Sequence, residues 1–147
     1  MKRELMSWTE CSAHHLRTVE IDEGKVQSIL KLGAVRLRVV NLIPLDMETA
    51  SVIAEHFYEI IKELLTALLL LHGLKSDNHE CLIAFFQKTY PDQEYEVKVL
   101  YDLKIIRNKI DYEGLFVDKE YIERNKLEFI HIISFIQAKI QEKLKNN

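Results

Sequence analysis

"ASVIAEHFYEIIKELLTALLLLHG", residues 50–73, decides the fold. Ala50, Ile53, Phe57, Ile60, Leu64, Leu68 and Leu71 recur at steps of three and four, the period of one helix face. From Leu64 onward the segment is apolar nearly all round, which marks a buried central helix. Gly73 is a natural residue just past a helix end, and Asp46 a natural start, so the pattern predicts a helix over 46–72. The run from Leu64 to Leu71 is broken by Thr66 and falls far short of the ~20 apolar residues that a membrane-spanning helix needs.

The same reading extends outward. Asp22 is an N-cap for a helix over 23–42, with Val26, Ile29, Leu30, Leu37 and Val40 on its apolar face. Gly33 weakens that helix a little, and Pro44 stops it. Asp77 and Glu80 fit a capping box, with Ser76 as an alternative cap, for a short helix over 78–90 before Pro91. A fourth helix over 93–112 carries Val99, Leu103, Ile106 and Ile110 as its stripe and ends at Gly114. A fifth, over 118–144, starts at Asp118 and turns Ile122, Phe129, Ile133, Ile136, Ile140 and Leu144 inward. Residues 1–20 are weakly periodic and read as an N-terminal arm with at most one short helix. Long amphipathic helices joined by short connections predict an all-α, antiparallel bundle of four to five helices. The 147 residues suit a single domain, 1–147.

Composition narrows the function classes. Apolar residues make up 48% and charged residues 29%, as in a soluble globular domain. A formal charge of −3 and a pI near 6.1 argue against a general nucleic-acid coat, while leaving room for a local basic patch. The start, MKRELMSWTEC, lacks an apolar core of signal-peptide length. Two cysteines, Cys11 and Cys81, form no disulfide framework and point to a reducing cytoplasm.

Few chemical motifs survive inspection. The glycines Gly24, Gly33, Gly73 and Gly114 are isolated, so there is no phosphate loop. "HECLI", 79–83, is half of a zinc-protease motif in which Ile83 replaces the second histidine, so His79 and Glu80 are expected to cap a helix and Cys81 to pack inward. Cys11, His14 and His15 have no second ligand pair at zinc spacing, and His56 and His72 are expected to be hydrogen-bonded edge residues. No metal or cofactor is expected. What remains is "RNKIDYEG", 107–114. Arg107 lies about 40° from Leu103 around an ideal helix, at the edge of the core face. Asp111, one turn on, can pair with it, while Asn108 and Lys109 point outward.

"SVIAEHFYEIIKELLTALLLLHGLKSDNHECLIAFF", 51–86, followed by "LYDLKIIRNKIDYEG", 100–114, resembles HEPN-domain proteins of archaea and bacteria. The resemblance covers residues 46–140. It implies a helical bundle that pairs into a homodimer. In many members an arginine, four to six residues before a histidine, forms a metal-independent RNase site at the dimer interface. It also implies a minimal nucleotidyltransferase as partner in a toxin–antitoxin pair. Arg107 matches the motif arginine and Asn108 the polar residue beside it, and a phosphate-binding set of Arg107, Asn108 and Lys109 is expected. The histidine is absent, and Tyr112 stands in its place. A tyrosine, with a pKa near 10, is a poor base at neutral pH.

Three functions fit these residues. One is a nucleotide- or RNA-phosphate-binding or regulatory partner of a nucleotidyltransferase, with a degenerate RNase motif. The second is an RNase toxin in which Asp111, Tyr112 or a histidine from elsewhere supplies the base. The third is a purely structural dimerisation module. Whichever holds, a homodimer is expected, with the fourth helix around Tyr101, Ile105 and Arg107 as its candidate interface.

Overall fold

A computed structural model describes residues 4–146. In chain order these form α1 (Trp8–His14), β1 (Leu16–Thr18), α2 (Glu23–Asn41), α3 (Ala50–Leu71), β2 (Leu74–Ser76), α4 (Glu80–Thr89), α5 (Glu94–Glu113) and α6 (Lys119–Lys145). The fold is an all-α bundle with one small two-stranded sheet.

The central helix is α3. All seven periodic residues of its face are buried, with Phe57, Ile60, Leu64 and Leu68 fully closed off from solvent. Phe57 meets Phe129 of α6 with ring centroids 5.2 Å apart. On α2, Gly33 is buried against α3, where a Cβ would lie 3.4 Å from Leu64 Cδ2, at the edge of ordinary van der Waals contact.

The helix ends follow local chemistry. Asp22 accepts from the Lys25 N–H at 3.0 Å. Asp46 accepts from the Glu48 and Thr49 N–H groups at 2.8 and 2.9 Å, while Thr49 Oγ1 donates to the Pro44 carbonyl. That turn delays α3 to Ala50, four residues after the expected start. Gly114, at φ +66°, closes α5 with bonds from its own N–H to Ile110 O and from Leu115 N–H to Lys109 O.

Three expectations are corrected. The capping box at α4 does not form: Asn78 Oδ1 accepts from the Glu80 N–H, while the Glu80 carboxylate accepts from the Met6 N–H and faces Lys104. Asp77 instead pairs with His15 Nδ1 at 3.0 Å, because the segment before it is held as a strand. The arm also contains a strand: β1 pairs antiparallel with β2, Leu16 opposite Ser76. Finally, Cys11 and Cys81 are joined in a disulfide. With α1 laid on α4 their Cα atoms are 5.6 Å apart, and both are fully buried beside Met6 and Trp8. The inference of a reducing compartment, drawn from two unconnected cysteines, thereby loses its basis. Among the described residues no helix is long and apolar enough to cross a membrane.

Candidate functional site

α5 carries the motif residues and turns them to two different sides. On the α3 side, Arg107 Nε lies 3.1 Å from Asp111 Oδ2, the expected one-turn ion pair. The guanidinium carbon sits 5.4 Å from the Tyr58 ring centroid, and Nη1 makes a long 3.5 Å contact with Asn108 Oδ1. Val52, Glu55, His56 and Glu59 of α3 line a groove of about 360 Å³ with Arg107.

Electrostatics show how this groove is balanced. Burial pushes the Tyr58 hydroxyl up to about 12, against the opposing pull of Arg107. Burial also raises the Glu55 carboxyl, and the neighbouring Asp111 carboxylate raises it further by its charge and a shared hydrogen bond. One arginine thus faces Glu55, Glu59 and Asp111. Its charge is already answered, and a phosphate brought here meets carboxylates as well as the guanidinium.

His79, at the start of α4, is within electrostatic range of the same arginine. Burial lowers its pKa first, and then Lys62, Arg107 and Lys104 lower it further. His72 is lowered mainly by burial as well and packs edge-on against Phe85, not through a hydrogen bond as expected. His56 opens onto the arginine groove.

The other side of α5 is different. Lys98, Tyr101, Asp102, Lys104, Ile105, Asn108, Lys109, Tyr112 and Glu113 line a groove of about 650 Å³, with Leu5 of the arm at its rim. Three lysines and two carboxylates line it, Lys104 being already paired with Glu80, and Tyr112 is 82% exposed. Asn108 is the one motif residue that touches both sides. The structure therefore brings Arg107 and Asp111 together, and separately Asn108, Lys109 and Tyr112. It does not gather all five in one site.

Reading the motif along the chain missed Glu55, His56 and Tyr58, which stand around Arg107 from α3. It also missed Lys98, Tyr101 and Lys104. Their spacing from Lys109 and Tyr112, in steps of three and four along α5, carried the signal. Comparison with protein-family models, curated proteins and solved structures returns no match to this chain.

Proposed function

We propose that this chain is a HEPN-like module that binds a nucleotide or an RNA phosphate in the 650 Å³ groove of α5 without cleaving it. The observation that carries this reading is that Lys98, Lys109 and the exposed Tyr112 line one groove, in which Lys104 is already paired with Glu80 and Tyr101 packs partly on the core. Ammonium groups attract phosphate as point charges, and exposed aromatic faces stack bases whatever their sequence. A regulatory role beside a minimal nucleotidyltransferase, and pairing into a homodimer, belong to the same reading. They draw their support from the resemblance in 51–114, and co-purification and light scattering test them.

The binding test is a titration with a short single-stranded RNA at several salt concentrations. Lys98→Ala and Lys109→Ala each weaken binding and lower the salt slope by about 0.7. Tyr112→Ala costs about 1–3 kcal/mol if a base stacks on it. Arg107→Ala leaves binding close to that of the natural chain. A natural chain that binds no RNA, or whose binding depends on Arg107 alone, rules the reading out.

One observation favours a second reading. His56 lines the same groove as Arg107, so an imidazole from α3 can take the place of the missing motif histidine in an RNase. Cleavage of RNA in the presence of a chelator, abolished by both Arg107→Ala and His56→Ala, would establish it. The expected result is no cleavage, because the carboxylates around Arg107 oppose the phosphate.

A further inference from the structure

Away from both grooves, α5 and α6 bring Glu96, Glu128 and His131 together, with one ligand atom from each lying within 4.8 Å of the others. The geometry points to a divalent transition-metal site, of the kind that takes Zn²⁺, across this seam. Glu128 and His131 are three residues apart on α6, so one face of the helix presents both, and Glu96 faces them from the first turn of α5. His131 Nε2 is 3.7 Å from Glu96 Oε1, too far for a hydrogen bond.

A second observation is independent of that clustering. Glu128 Oε1 is buried and has no hydrogen-bond partner. A covered carboxylate oxygen without a donor is costly, and here it lies beside a second carboxylate whose side chain is only 17% exposed. Like charges this close repel unless a cation stands between them. Among the described residues the imidazole is the ionic partner of Glu96, and Glu128 has none. A dication answers both carboxylates at once, and neutral His131 supplies the third ligand.

The donor set selects the metal. Two carboxylate oxygens and one imidazole nitrogen make three protein ligands, leaving one position of a tetrahedral zinc site for water. Calcium and magnesium ask for six or more oxygens and have little use for the imidazole. Ligands about 2.1 Å from a tetrahedral metal are about 3.4 Å apart, so small side-chain rotations close the observed triangle. His131 is 53% exposed on its side chain, which leaves the metal a way in.

The test uses tag-free protein with the Cys11–Cys81 disulfide intact, so that neither affinity-tag histidines nor free thiols take the metal. Equilibrium dialysis against Zn²⁺ alone should give one ion per chain. Glu96→Gln, Glu128→Gln and His131→Ala should each weaken binding ~10-fold or more, at least the loss seen when an outer partner of a metal ligand is removed. Zn²⁺ should also raise the thermal midpoint of the natural chain, and that rise should vanish in Glu96→Gln. Circular dichroism confirms that each variant is folded, and Glu96→Gln keeps the size of the side chain should His131→Ala fail to fold. Three results overturn the site: no Zn²⁺ bound by the natural chain, binding undiminished in the triple variant, or Mg²⁺ and Ca²⁺ bound as tightly as Zn²⁺.

Discussion

His79 lies at the start of α4, and burial first, then the charges of Lys62, Arg107 and Lys104, make its imidazole harder to protonate than in the unfolded chain. The unfolded state therefore binds a proton that the folded state resists. Stability is full above the ordinary histidine pKa of 6.5 and is lost as pH falls from there toward the lower folded value. His72 acts in the same direction. Thermal midpoints measured from pH 7.5 down to 5 should fall, and His79→Gln should flatten that fall. An identical pH profile in natural and variant protein would show that the imidazole is not held neutral by its neighbours. The Arg107–Asp111 pair was legible in the sequence because both residues lie on one helix at a fixed spacing. The surroundings of Arg107 were not, because Glu55, His56 and Tyr58 precede it by about fifty residues and only the packing of α3 against α5 joins them.

Ser51 ties two elements that the sequence leaves separate. Its hydroxyl donates to the Leu115 carbonyl at 3.0 Å and accepts from the Val117 N–H at 2.8 Å. The turn between α5 and α6 is thereby fastened to the first turn of α3, at the end of the bundle that holds Asp111 and Tyr112. Ser51 and Val117 are both buried, so water cannot replace the lost partner. Ser51→Ala should cost about 1–3 kcal/mol in denaturant unfolding, the usual penalty for stranding a covered polar group. A loss within experimental error would mean that the turn holds itself through Gly114. The long helices were readable because their apolar periods extend over several turns. The strands β1 and β2 were not, since each has three residues and alternation over three residues resembles any mixed segment. Asn78 displaced the expected capping box for a related reason. A cap depends on where the preceding strand releases the chain, and that strand is fixed by a partner some sixty residues away.

For the whole molecule, the arm is the part that folding adds to a helical bundle. Trp8 packs on Phe85 at 5.8 Å with the Lys88 ammonium 5.0 Å from its ring centroid, His15 meets Asp77, and the Met6 N–H reaches Glu80. The Cys11–Cys81 bond closes a sequence separation of 70 and restricts the unfolded chain more than any of these. Replacing both cysteines by alanine keeps the site apolar and removes the crosslink, so stability should fall by about 2–4 kcal/mol. The loss should not be uniform. The core helices α3 and α6 are held by buried aromatic and aliphatic packing, whereas α1 has a single buried residue, Cys11 itself. Hydrogen exchange should therefore show α1 and β1 losing protection first, while α3 and α6 open only with global unfolding. Because Leu5 borders the lysine and tyrosine groove, the same variant should expose one end of it to solvent. Unchanged protection in α1 would mean that Trp8, His15 and the β1–β2 pairing hold the arm without the crosslink.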